Sequence, residues 1–127
     1  MQKILLADDD KIIIDFIKNS VPKDFPGQID LAETALEAID LINKNRYDKA
    51  IIDLHFEGED LTGFDILKVA EKKRIQERII FTSISNQMED LIGAGATAAF
   101  RKPLSALKIA KFLLTNDYDL LREGEIF

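Results

Sequence analysis

Four short stretches of the sequence concentrate the side chains that can do chemistry. Asp8, Asp9 and Asp10 stand in a row after one apolar run, Asp53 closes a second, Thr82 and Ser83 follow a third, and Lys102 precedes Pro103 after a fourth. Carboxylates brought together repel one another unless something neutralises them. A hard divalent cation with oxygen ligands does so, and Mg²⁺ binds a few carboxylates together with phosphate oxygens and water. A lysine opposite the metal adds a point charge for a phosphate oxygen, and a Thr or Ser hydroxyl can donate a hydrogen bond to the same group. One carboxylate as nucleophile, a metal held among the carboxylates, and Lys102 and Thr82 on the transferring oxygens make up the set that phosphoryl transfer needs. Ser83 is the understudy to Thr82. Asp10 suits a plainer role, capping the amides at a helix start.

These residues meet only if the elements before them line up. Apolar β-type runs alternate with segments of helical period. Strands are expected at Lys3–Ala7, Gln28–Ala32, Lys49–Leu54, Arg78–Thr82 and Ala98–Arg101. Helices are expected at Lys11–Asn19, with Ile12, Ile13, Ile14, Phe16 and Ile17 forming the buried face, and at Thr34–Asn43, with Ala35, Leu36, Ile39 and Ile42. Thr34 and Glu37 read as a capping box for the latter. Further helices are expected at Gly63–Lys73, at Asn86–Ile92 and at Ser105–Leu114, the last with Leu107, Ile109, Ala110, Phe112 and Leu113 inward. Strands alternating with helices imply a parallel sheet covered on both faces, whose strands are buried on both sides and so read as continuous apolar runs. In an open α/β sheet the ligand site lies beyond the carboxyl ends of the strands. Those ends are where the chemistry-bearing residues stand, and the flavodoxin-like order 2-1-3-4-5 sets the first and third strands side by side, so that Asp8, Asp9 and Asp53 converge in one crevice.

The chain of 127 residues suits one domain, taken as 1–127, with a core at 1–114 and a tail or helix extension at 115–127. Phe112, Leu113, Leu114, Leu120 and Leu121 read as core or packed tail; if the last helix runs on towards Arg122, its apolar stripe could pair with a partner. Lys and Arg number 17 against 23 Asp and Glu, a net charge of −6 that disfavours direct nucleic-acid binding and docking on an anionic membrane. There is no Cys, which excludes a disulfide framework, a thiolate metal site and a Cys nucleophile. No signal peptide or membrane-spanning run is legible, and a cytoplasmic location is the default.

Taken together, KILLADDD, KAIIDL, RIIFTS and FRKPL resemble the strand-end motifs of bacterial two-component receiver domains, over Met1 to about Leu114. The resemblance implies that Asp53 accepts a phosphoryl group from a histidine kinase or phosphotransfer protein and that Asp8 and Asp9 are the acidic pair on Mg²⁺. It further implies that the backbone carbonyl of His55 is the third protein ligand, that Thr82 is the switch hydroxyl, and that Lys102 is the conserved-type lysine before a cis proline at Pro103. Such a protein accepts and hydrolyses phosphate on itself rather than turning over a separate substrate. It then switches a protein-interaction surface, as a monomer or weak homodimer. The downstream target is another protein, unless the chain is part of a longer regulator.

The sequence departs from the family's pattern in three places, one of them a fourth helix about two residues short, since GAG arrives early after Thr82. The loop after Asp53, LHFEGEDLTG, has no proline and about two extra residues; Glu57, Glu59 and Asp60 on it read as a solvated face. The aromatic residue usual a few places before the lysine is Ala99 here, and Phe100 beside it should face the other side of the sheet. Those departures keep a second reading open: a degenerate receiver that binds its partner without phosphate. His55, the one histidine, is expected to face the pocket mouth and to adjust hydrolysis. A flavin-binding protein is disfavoured, because Asp8–Asp10 would repel a phosphate at the first loop.

Overall fold

The structure, a computed structural model, describes residues 2–82, 88–102 and 105–122. Five parallel strands form one sheet in the order β2-β1-β3-β4-β5: β1 (Lys3–Ala7), β2 (Gln28–Ala32), β3 (Lys49–Asp53), β4 (Glu77–Thr82) and β5 (Ala98–Arg101). The connecting helices are α1 (Lys11–Ser20), α2 (Ala35–Lys44), α3 (Gly63–Lys72) and α4 (Met88–Gly93), followed by α5 (Ala106–Thr115) and a short α6 (Asp119–Arg122). This is the flavodoxin-like order expected from the sequence. Ser83 and Pro103, and with them the expected cis peptide, lie outside the described residues.

The side-chain alternation along each strand builds two cores. Leu5, Ala7, Ile52 and Ile80 face α2 and α3 and pack with Ala35, Ile42, Ile66 and Leu67. Ile4, Leu6, Ile51 and Phe81 face the other way and pack with Ile14, Ile17, Ile109 and Phe112 of α1 and α5. Both faces of the sheet are therefore dry, which is why β1, β3 and β4 read as unbroken apolar runs.

Several apolar residues expected to point inward do not. Ile12 is 78% exposed, Leu36 66% and Leu107 51%, and Phe16 lies partly in solvent. Each sits on a helix whose inward stripe is already complete, from Ile13, Ile14 and Ile17 in α1 to Ile109, Ala110, Phe112 and Leu113 in α5. At the start of α2 the Thr34 side chain accepts from the Glu37 amide, but the reciprocal bond of the expected capping box is not made by Glu37. The full box is at Thr62 and Asp65, opening α3. The last long helix does not run on to Arg122. It stops at Thr115, where Asn116 takes a left-handed conformation (φ 59°) and turns the chain so that α6 folds back and buries Leu121.

Register decides what the sheet does with its ends. Ala7 pairs with Ala32 on one side and Ile52 on the other, Asp53 with Phe81, and Thr82 with Arg101. The strands therefore finish in nearly one row. The next backbone bonds continue it: Asp8 N–H donates to the Ala32 carbonyl at 3.0 Å, and Lys102 N–H to the Thr82 carbonyl at 2.8 Å.

Candidate functional site

Asp8 follows β1 and Asp53 ends the adjacent β3, so both carboxylates rise from the middle of the sheet's carboxyl edge. They are nearly inaccessible, with Asp8 2% and Asp53 7% exposed. Asp9, half-buried, completes a group in which one carboxylate oxygen from each of the three residues lies within 4.8 Å of the others. Lys102, just past β5, reaches back across β4. Its Nζ is 3.3 Å from Oδ2 of Asp8 and 3.3 Å from Oδ2 of Asp53. Thr82 ends β4 between them and is fully buried.

The electrostatics follow from burial. Loss of water pushes Asp53 up from 3.8 to about 6; Lys102 pulls it down, while Asp8 and Asp9 push it further up. Asp8 is raised for the same first reason, against Lys102 and the Asp10 amide that donates to its Oδ1 at 2.9 Å. Burial alone would lower Lys102, but its attraction to Asp8 and Asp53 outweighs that and holds it above its ordinary value. One ammonium is thus divided between Asp8 and Asp53, with Asp9 beside them, and ionisation at Asp53 is resisted. The donor set is oxygen only, and it carries surplus negative charge. That fits a hard divalent cation, and not a soft one that selects sulfur or nitrogen.

The cleft above these groups has a volume of about 470 Å³ and is lined by Asp9, Asp10, Lys11, Asp53, His55, Glu57 and Lys102. The His55 side chain is exposed at its mouth. Asp10 caps α1, accepting from the Ile12 amide at 3.0 Å. Lys11 was not singled out by sequence reasoning; it adds a second cation to the rim, 3.7 Å from Glu33.

The loop 54–62 after β3 is where the structure departs most from expectation. Glu57 and Asp60 are exposed as expected, but Glu59 is half-buried and the loop is tied down at both ends. The Glu57 amide donates to Oδ2 of Asp9 at 2.9 Å. The Glu59 carboxylate accepts from the Ala35 amide at the start of α2, at 3.0 and 3.2 Å. Gly63 closes the loop, donating to the Leu54 carbonyl at 2.8 Å. Any side chain at Gly63 would overlap the Asp53 carbonyl oxygen and lie 2.7 Å from the Leu54 Cα, so this close approach requires glycine.

On the β5 side, Ala99 belongs to the α2–α3 core and Phe100 to the opposite one. The Phe100 ring sits 6.1 Å from Phe81 and 6.3 Å from Tyr118. Among the described residues no helix is long and apolar enough to cross a membrane.

Comparison with known proteins agrees with this geometry. The transcriptional regulatory protein YvrH of Bacillus subtilis (strain 168) is 29% identical over 109 residues, covering 84% of this chain but 45% of YvrH. The chain therefore spans less than half the length of that relative. The receiver domain of the Francisella response regulator 1452 superposes with a TM-score of 0.71 at 27% identity, over 99% of this chain and 100% of that one. The receiver domain of the sensor histidine kinase PA1611 of Pseudomonas aeruginosa PAO1, described with a magnesium ion coordinated in its active-site cleft, has the same fold. Its TM-score is 0.68 at 20% identity, over 88% of this chain and 93% of that one. The sequence profile of the response regulator receiver domain matches residues 4–113. Nearly the whole of the sheet and its helices is thus covered by one family, and the chain belongs to the response regulator receiver domains of two-component systems.

Proposed function

We propose that this domain is a phosphoacceptor switch in which Asp53 takes a phosphoryl group from a sensor histidine kinase or a phosphotransfer protein. The observation that carries the reading is the Lys102 ammonium set 3.3 Å from both Asp8 and Asp53, beside a third carboxylate. Although burial raises Asp53 to about 6, its carboxylate is still mainly ionised at neutral pH. Its oxygen is then a ready nucleophile that needs no separate base. That oxygen forms a bond to phosphorus as the bond from phosphorus to the donor's imidazole nitrogen breaks, and the nitrogen leaves with the electron pair. Lys102 can exchange its carboxylate partners for a phosphoryl oxygen, and the Thr82 hydroxyl can donate to another.

Asp8, Asp9, Asp53 and the His55 backbone carbonyl would hold Mg²⁺. The ion described in the cleft of the Pseudomonas aeruginosa domain supports that assignment. Bound there, Mg²⁺ supplies positive charge to the oxygens of the transferring group. The whole chain acts as one receiver unit that uses its phosphoryl group to change a protein-binding surface. It does not process a free substrate.

The test is incubation with acetyl phosphate, with and without Mg²⁺, followed by intact mass for wild type and Asp53→Asn. A hydroxylamine-labile gain of one phosphoryl group, dependent on Mg²⁺ and absent from the variant, is expected. No gain in wild type, under conditions that modify another receiver domain, would overturn the proposal and favour partner binding without phosphate.

A further inference from the structure

In the loop 54–62, Glu57 and Glu59 flank Gly58, and the structure gives them different work. Gly58 has a φ of +71°, a conformation that side chains resist, and it turns the chain sharply between Glu57 and Glu59. On one side of the turn the Glu57 amide is bonded to Asp9 Oδ2; on the other the Glu59 carboxylate takes the Ala35 amide with both oxygens. Ala35 is the first residue of α2, where amides lack partners within the helix and a negative charge is favoured. The helix itself is fixed, since Ala35, Ala38 and Ile42 are fully buried. Phe56, 6% exposed, pins the loop's near half into the same core. Glu59 is therefore the far anchor of a short span whose middle holds Asp9.

We infer that Glu59 is a positioning residue for the acidic cleft. By tying the loop to the rigid start of α2, it keeps the Glu57 amide on one oxygen of Asp9 and so fixes how that carboxylate is presented beside Asp8 and Asp53. The inference rests on the reading of the cleft as a cation and phosphoryl site. Groups that orient a metal ligand through a hydrogen bond govern affinity without touching the ion, typically by about 10- to 100-fold. Glu59 acts through one further link, so the lower end, about tenfold, is expected.

Magnesium titration followed by amide NMR tests this on wild type, Glu59→Ala, Glu59→Gln and Thr34→Ala. Thr34 caps the same helix end through the Glu37 amide. Glu59→Ala should weaken Mg²⁺ binding about tenfold and speed hydrogen exchange at the Glu57 amide, and Glu59→Gln, whose oxygen still accepts a bond, should recover most of both. Thr34→Ala should lose stability yet bind Mg²⁺ as wild type does. Glu59→Ala binding Mg²⁺ as tightly as wild type would overturn the inference alone. So would an equal weakening in Thr34→Ala, which would reduce Glu59 to a helix cap. Wild type failing to bind Mg²⁺ at all would overturn the cleft reading, and the inference with it.

Discussion

The Nζ of Lys102 lies 3.3 Å from Oδ2 of Asp53. The same atom lies equally close to Asp8, so one ammonium is divided between two carboxylates that are almost shut off from water. Neither acid has a charge partner of its own, and the balance among the three groups sets both the stability and the reactivity of the cleft.

Replacing Lys102 by Met keeps the stem and removes the charge. Two buried carboxylates then face each other unopposed, and breaking such a cluster from one side leaves an uncompensated charge. The metal-free variant should lose about 2 kcal/mol near neutral pH, a figure kept below the range for fully buried pairs because Lys102 is partly exposed. The loss should shrink in acid, where Asp53 and Asp8 take up protons. Urea denaturation at both pH values checks this; an equal loss at each would mean that packing of the stem, and not charge, is what Lys102 supplies.

Asp53 should make metal-free stability fall as pH rises. Burial first, then the neighbouring Asp8 and Asp9, lift it from 3.8 to about 6 against the pull of Lys102. The folded protein therefore holds this proton more tightly than the unfolded chain does. Its stabilising share is complete below the unfolded value and is lost as pH climbs through about 6. Asp53→Asn removes that dependence. The variant should exceed wild type by at most about 3 kcal/mol above pH 7 and match it near pH 4. Saturating Mg²⁺ should close the gap by stabilising wild type alone. Thermal unfolding across this range, with and without Mg²⁺, measures both effects, and a variant no more stable than wild type at pH 7 would contradict the burial argument.

The strand ends were legible in the sequence because a parallel sheet buried on both faces leaves long apolar runs, and Asp8, Asp53, Thr82 and Lys102 punctuate them. Which turn of an apolar helix faces water was not. Ile12, Leu36 and Leu107 have the same chemistry as their buried neighbours, and only the completed inward stripe excludes them. The reach of Glu59 to Ala35 was also illegible, since it depends on the path of a loop folding back across 24 positions of sequence. Two signals stood in plain view and could have been used. The Thr62-x-x-Asp65 pattern marks the capping box of α3, and Asn116 is a residue type that tolerates the left-handed turn ending α5.

Phosphoryl transfer should leave Phe100 where it is. Its ring is 4% exposed and packed between Phe81 and Tyr118, on the sheet face opposite Ala99. Moving it would empty space in a close-packed core, at a cost of about 3 kcal/mol or more. Ring resonances of Phe100, followed before and after acetyl phosphate and Mg²⁺, should coincide while the Thr82 and Lys102 signals shift. A large change at Phe100 would show that this ring moves with the cleft although it packs in the opposite core.

At the opposite end of β3 from the cleft, Lys49 is fully buried, and its fate should be decided by volume more than by charge. Its Nζ donates to the side-chain oxygen of Asn116, lies 3.7 Å from Glu77 and sits 4.8 Å from the centre of the Phe112 ring. Tyr118 donates its hydroxyl to Glu77, so the same cluster ties the turn after α5 to the sheet. Lys49→Ala should cost about 3–5 kcal/mol, because it leaves a cavity, deprives Asn116 of its donor and removes the cation beside Glu77. Lys49→Met fills the space without the charge and should cost about 1–2 kcal/mol, since Glu77 is exposed enough to regain water. Burial lowers the pKa of Lys49 against the opposing pull of Glu77. The unfolded chain then holds this proton more tightly than the folded protein. Wild-type stability should rise with pH on the alkaline side, and Lys49→Met should flatten that rise. Urea denaturation gives the global cost, and hydrogen exchange at the Leu121 amide reports whether α6 comes loose first. If the Met and Ala variants lost equal stability and both freed α6, the ammonium and not the packed stem would be what holds the end of the domain in place.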